Sequence, residues 1–173
     1  MTTATKITLL RVLMIPVFIV LYALGLNWWA LGVFIAASLT DTLDGYIARR
    51  YNQTSDMGKF LDPLADKILV LAAMVMLCEE GRFPSWAVII VLAREFAVSG
   101  LRMVASGQGT VIAADWSGKV KTLVTMIALG FMIGLSNPSY AIVDLVAMVL
   151  IVVLTVYSGV AYFCRNRKVL SKT

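Results

Sequence analysis

Apolar residues run along this chain in long stretches separated by short polar breaks. Six stretches are predicted as helices, at roughly 7–25, 29–50, 60–78, 84–105, 117–135 and 140–164. Each is long enough to cross a hydrocarbon core of roughly 30 Å. The breaks carry turn chemistry or charge: GLN at 25–27, EEGRFPS at 79–85, SGQGT at 106–110 and SNPS at 136–139. The predicted fold is all-α, a six-transmembrane-helix bundle whose backbone polar groups are satisfied within the helices. No repeat or low-complexity tract interrupts it, so residues 1–173 read as a single domain. Arg11, inside the first apolar run, sets that run apart from a secretory leader.

Composition sharpens the membrane reading. The chain is 60% hydrophobic and 14% charged, with a mean hydropathy of +0.88. Histidine is absent, which excludes an imidazole base, a histidine metal ligand and phosphohistidine chemistry. The two cysteines, Cys78 and Cys164, have no CxxC spacing and read as buried small apolar residues near opposite faces. The net charge of +5 points to anionic lipid headgroups rather than nucleic acid. Under the six-span reading every lysine and arginine except Arg82 falls on one face. The positive-inside rule places that face, with both termini, in the cytoplasm. The chain is therefore expected as a multi-pass protein of the cell (inner or plasma) membrane. Trp28, Trp29 and Trp86 fall at the opposite span ends, as an aromatic belt requires. Asp144, near that outer side, reads as a capping or pairing group rather than a catalytic one.

The charged residues that remain are unevenly spread. Residues 41–66, DTLDGYIARRYNQTSDMGKFLDPLAD, hold half of the ten acids. Asp41 and Asp44 lie three apart near the end of the second span, and Asp62 and Asp66 lie four apart at the start of the third. Those spacings put each pair on one helical face, and a short loop makes the two helices antiparallel neighbours. Four converging carboxylates raise one another's pKa unless a counter-charge is supplied. Divalent cations supply it, and an all-oxygen donor set suits magnesium, manganese or calcium rather than zinc. Gly45 inside a helix marks close packing or approach to a ligand; Ala48 lies on the same face, and Gly58 sits at the tight connection. Arg49 is then within reach of a phosphate held by the metals. The competing reading makes these acids interfacial caps and partners of Arg49, Arg50, Lys59 and Lys67, but carboxylates within membrane spans are costly and usually functional.

The stretch resembles the signature of the CDP-alcohol phosphotransferases, D-x-x-D-G-x-x-A-R, eight residues, then G-x-x-x-D-x-x-x-D. Asp41, Asp44, Gly45, Ala48, Arg49, Gly58, Asp62 and Asp66 match every fixed position. The resemblance implies a six-helix membrane bundle, active toward the cytoplasm and homodimeric in the manner of the family, that transfers a phosphatidyl or similar group from a CDP-linked donor to an alcohol and releases CMP. It implies that Asp41, Asp44, Asp62 and Asp66 hold two divalent cations, Mg2+ or Mn2+, with Asp66 also the general base. Gly45, Ala48, Arg49 and Gly58 would line the CDP site. REFAVSGLR at 94–102 and VIAADWSGKVKT at 111–122 are similar to runs of bacterial members that use CDP-diacylglycerol as donor and sn-glycerol 3-phosphate as acceptor. TKITLLR at 5–11 resembles their N-x-[LI]-T-x-x-R pattern; Thr8, assigned to the CDP site, and Arg11 are kept, and Thr5 replaces the Asn.

The chemistry agrees with the residues. Two metals stabilise both the attacking and leaving oxygens of an in-line displacement, and a carboxylate takes the alcohol proton. No histidine is required, unlike in phospholipase-D-like lipid synthases. Arg94, Arg102, Lys119 and Lys121 form an expected anion-binding wall for the phosphate of the acceptor, against the plainer reading of snorkelling to lipid phosphates. Two other functions compete: the same chemistry with another acceptor such as an inositol phosphate, and a divalent-cation transporter. Transport sites lie near the midplane on broken helices, whereas these acids cluster at one face.

Overall fold

A computed structural model of the chain describes residues 3–51, 56–109, 112 and 115–167; of residues 3–8, 41–51, 56–63, 66 and 138 it describes the backbone alone. The six predicted segments form six α-helices: α1 Thr3–Ala23, α2 Asn27–Tyr51, α3 Asp56–Glu79, α4 Ser85–Gly107, α5 Trp116–Gly134 and α6 Ala141–Arg165. A 3-10 turn at Pro138–Tyr140 leads into α6, and no strand occurs among the described residues.

Local chemistry sets the helix ends. α1 stops at Gly25, whose φ of 73° suits a residue without a Cβ. Its N–H bonds Tyr22 O at 2.9 Å and the next N–H, of Leu26, reaches back to Leu21 O at 3.0 Å, which satisfies carbonyls the helix leaves open. The end of α3 repeats the device: Gly81 has a φ of 72°, its N–H bonds Cys78 O at 3.0 Å and that of Arg82 bonds Leu77 O at 2.9 Å. Pro84 then starts α4 from an extended conformation.

α3 is the hub, packing on α1, α2, α4 and α5, while α6 packs on α4 and α5. The core between them holds Phe18, Phe34, Leu69, Met74, Leu77, Leu129, Met132 and Ile151. Ala30, Ala37, Ala73 and Ala87 are fully buried, and their small side chains let helix backbones approach closely. The outside is apolar as well. Exposed rows follow the helical repeat, Leu13, Val17 and Val20 on α1 and Ile142, Leu145, Val149, Val153, Val156 and Val160 on α6. Among the described residues, α5 and α6 are long and apolar enough to cross a membrane by length and composition.

The two ends of the bundle differ in their ties. At one end Arg82, between α3 and α4, donates to both carboxylate oxygens of Asp144 at 2.8 Å and to Leu135 O at 2.8 Å. Asn27 Nδ2 donates to Ser136 Oγ there, so the α1–α2, α3–α4 and α5–α6 connections are joined. Of the capping and pairing roles left open for Asp144, the structure shows pairing. At the other end Arg165 pairs with Asp115, ahead of α5. Cys78 and Cys164 are both free thiols; Cys78 is half-buried and Cys164, near the end of α6, is exposed rather than buried as expected.

Candidate active site

The signature falls on two helices that pack together. Asp41, Asp44, Gly45, Ala48 and Arg49 are carried by the last part of α2, and Gly58, Asp62 and Asp66 by the first part of α3. Both acid pairs therefore sit on continuous helix, at the spacings of three and four that give each pair one face. The side chains of these eight residues, and of Thr8 on α1, lie outside the described residues.

The described neighbours begin one residue away. Arg11 on α1 is fully buried, and its Nε donates to Thr40 Oγ1 at 3.3 Å. The Thr40 hydroxyl in turn donates to Ala37 O at 2.7 Å. A buried guanidinium is costly unless paired and hydrogen-bonded, so the segment preceding Asp41 is built around a fixed cation.

The four cations expected to form the anion-binding wall do not share one environment. Arg94 and Lys121 come together. Glu95 Oε1 accepts from Lys121 Nζ at 2.7 Å and from Arg94 Nη1 at 3.0 Å, and the Lys121 side chain is only 4% exposed. Arg94 also runs through a slot bounded by two glycines. A Cβ on Gly118 of α5 would stand 3.4 Å from its Nη2, and one on Gly159 of α6 would stand 3.2 Å from its Cγ. Its Nε is buried without a hydrogen-bond partner among the described residues. Arg102 instead donates to Tyr162 Oη at 3.0 Å and lies over that ring, 5.6 Å from its centroid. Lys119 is exposed.

Glu95 was given no role by the sequence reading, although it is the one acid within the fourth span. An acid inside an apolar helix needs a partner, and that signal alone pointed to it. Lys67 Nζ donates to Ser99 Oγ, and Lys67, Glu95 and Lys121 line one part of a cavity of about 140 Å³ between α3, α4 and α5. Thr125 and Thr155 add buried hydroxyl oxygens without partners among the described residues. No sequence pattern marks them, because hydroxyls on apolar helices are common.

Asp115 precedes α5 and accepts from Ser117 Oγ at 2.5 Å. That bond, with the nearby Arg165 guanidinium, holds its carboxyl below the usual range.

The structure is thus an all-α bundle with two acid pairs on adjoining helices, a half-buried cation on the fourth and a buried one on the fifth. The chain belongs to the CDP-alcohol phosphatidyltransferase family, whose model matches residues 1–157. A CDP-diacylglycerol--glycerol-3-phosphate 3-phosphatidyltransferase of Bacillus subtilis (strain 168) is 42% identical, over 93% of this chain and 93% of that protein. The protein of the same name in Escherichia coli (strain K12) is 37% identical, over 94% and 93%. A probable phosphatidylglycerophosphate synthase of Mycobacterium tuberculosis (strain ATCC 25618 / H37Rv) is 38% identical, over 94% and 80%.

Proposed function

We propose that this chain transfers a phosphatidyl group from CDP-diacylglycerol to sn-glycerol 3-phosphate, forming phosphatidylglycerophosphate and CMP. The observation that carries the reading is the complete eight-residue signature on two packed helices, in a chain similar along nearly its whole length to proteins named for this reaction. The chemistry of the donor set fits two divalent cations, Mg2+ or Mn2+: four carboxylates and no nitrogen or sulfur ligand. Asp41, Asp44, Asp62 and Asp66 would hold them. When bound, such ions neutralise a pyrophosphate and stabilise the attacking and leaving oxygens of an in-line displacement.

The rest falls to the chain itself. Gly45, Ala48, Arg49, Gly58 and Thr8 would bind the CDP moiety. Asp66 would take the proton of the acceptor hydroxyl as its oxygen bonds to the lipid-bearing phosphorus and the bond to CMP breaks. Arg94, Arg102, Lys119 and Lys121 would bind the acceptor's own phosphate. Arg94 and Lys121 are the best placed of these, since they share the one carboxylate of Glu95 and leave a positive charge over. Residues 1–173 would act as one domain with six membrane spans, both termini and the active site in the cytoplasm, and two copies forming a dimer. The exposed apolar rows of α1 and α6 support the membrane setting.

An acceptor panel tests the reading. Purified protein with CDP-diacylglycerol and a divalent cation should release CMP with glycerol 3-phosphate and far more slowly with free glycerol. Turnover with an inositol phosphate but not with glycerol 3-phosphate would assign another acceptor. Absence of CMP release with every acceptor would overturn the transferase reading.

A further inference from the structure

The contacts between α1 and α2 fix a register. The rings of Phe18 and Phe34 lie 5.8 Å apart, and Arg11 Nε donates to Thr40 Oγ1 at 3.3 Å. One number falls as the other rises, so the helices are antiparallel. The buried face of α1 runs through Arg11, Ile15, Phe18 and Tyr22, and that of α2 through Ala30, Phe34 and Ala37. Both advance in steps of three and four, the spacing of one helical face. The next two steps on α2 are positions 41 and 44. The register therefore sets Arg11 at the level of Asp41 and Thr8 at the level of Asp44.

Two opposite needs meet at that level. A fully buried guanidinium is costly without a carboxylate to balance it. The Thr40 hydroxyl orients Nε but carries no charge. α1 itself contains no acid, and among the described residues it packs on α2 and α3 alone. The acids of those two helices are Asp41, Asp44, Asp62 and Asp66, besides Asp56 and Glu79 at the two ends of α3. The balancing charge for Arg11 thus comes from the signature. The signature has the converse need, since four converging carboxylates repel one another. Divalent ions relieve that repulsion only while they are bound. An arginine keeps its charge at every working pH, and this one cannot leave the core.

We propose that Arg11 is a positioning residue of the candidate metal site, a permanent cation that offsets part of the repulsion among the four aspartates. It holds the last part of α2 against α1 whether or not divalent ions are present. Its charge also opposes the incoming ions, so it trades metal affinity for a site that stays assembled when empty. The proposal rests on the reading above in taking Asp41, Asp44, Asp62 and Asp66 as the metal-holding group.

Thermal unfolding of the whole chain in detergent, in EDTA and in saturating Mn2+, tests it, with Mn2+ affinity read from the paramagnetic resonance of the free ion. Arg11→Gln removes the charge and keeps a hydrogen-bonding side chain. It should unfold earlier than wild type in EDTA, regain part of the loss in Mn2+, and bind Mn2+ at least about tenfold more tightly, because one positive charge fewer opposes the ion. Tenfold in affinity appears as an Mn2+ shift larger by about 3–6 °C. Arg11→Lys keeps the charge, so its Mn2+ affinity and shift should stay those of wild type. Equal Mn2+ affinity and shift in Arg11→Gln and wild type would leave Arg11 a packing residue and overturn the proposal. Should Arg11→Gln fail to fold in both conditions, Arg11→Lys still decides: an enlarged Mn2+ shift despite the retained charge would overturn it as well. Mn2+ that shifts none of the chains would remove the metal reading of the aspartates and this proposal with it. The expected Mn2+ responses without any CMP release by wild type would sink the transferase reading and leave this one standing.

Discussion

The two partly exposed arginines at opposite ends of the bundle, Arg82 and Arg94, are held in different ways. Their side chains are 14% and 12% exposed. Arg82 places its planar fork on both oxygens of Asp144 and adds a bond to Leu135 O. Arg94 shares a single carboxylate oxygen of Glu95 with Lys121, so two cations lean on one acceptor. A guanidinium matched by its own carboxylate locks helices together. One that shares an acceptor with a second cation leaves positive charge for a ligand. On the proposed function, the difference separates an end built for architecture from an end built for chemistry.

The largest effect should come from the chemical end. Asp41→Asn or Asp62→Asn should cut CMP release at least about a thousandfold, roughly 4 kcal/mol of barrier, with the unfolding temperature in detergent nearly unchanged. Excess EDTA should do the same to wild type, and full turnover in EDTA would remove the metal assignment.

The architectural end should show the reverse. Arg82→Ala leaves Asp144, itself 13% exposed, without its partner, and breaking such a pair costs about 3–5 kcal/mol. Unfolding by denaturant should show that loss, while turnover per folded molecule stays near wild type. Arg94→Ala instead leaves a balanced Glu95–Lys121 pair. It should destabilise the fold less and raise KM for glycerol 3-phosphate by about 10- to 100-fold, the worth of a charge-assisted bond of about 1.5–3 kcal/mol. If both variants lost stability equally with KM unchanged, the contrast between the ends would disappear.

A smaller effect belongs to Glu95→Gln. It would free two adjacent cations to repel, raising KM for the acceptor about tenfold, or roughly 1.4 kcal/mol, with KM for CDP-diacylglycerol little changed. A rise in the donor KM alone would remove Glu95 from the acceptor site.

Asp115→Asn should give the smallest change, and a pH-dependent one. The Ser117 bond, with Arg165 nearby, lowers the carboxyl's pKa in the folded chain. Its contribution is therefore complete above the unfolded pKa of about 3.9 and is lost as pH falls through the lower folded value. Thermal unfolding of wild type and variant should differ slightly at neutral pH and converge in acid; a difference that grows in acid would contradict the assignment.

Much of this molecule was determined within short stretches of sequence. Six helices and the breaks at Gly25, Gly81 and Pro84 were legible because these residues act on the backbone beside them, whereas α1 and α3 begin four residues earlier than the expected 7 and 60. The signature was legible because all eight of its fixed residues lie between positions 41 and 66. Asp144 was left between capping and pairing, with no partner named. That partner, Arg82, is 62 residues away, and Lys121 meets Glu95 across 26. Helical period tells which face a residue occupies, not which neighbouring helix that face meets. Only the packing of α3, α4, α5 and α6 decided that Arg94 would pass between Gly118 and Gly159 and that Glu95 would take two cations. Ion pairs between helices depend on which backbones lie side by side, and that follows from filling the whole core at once.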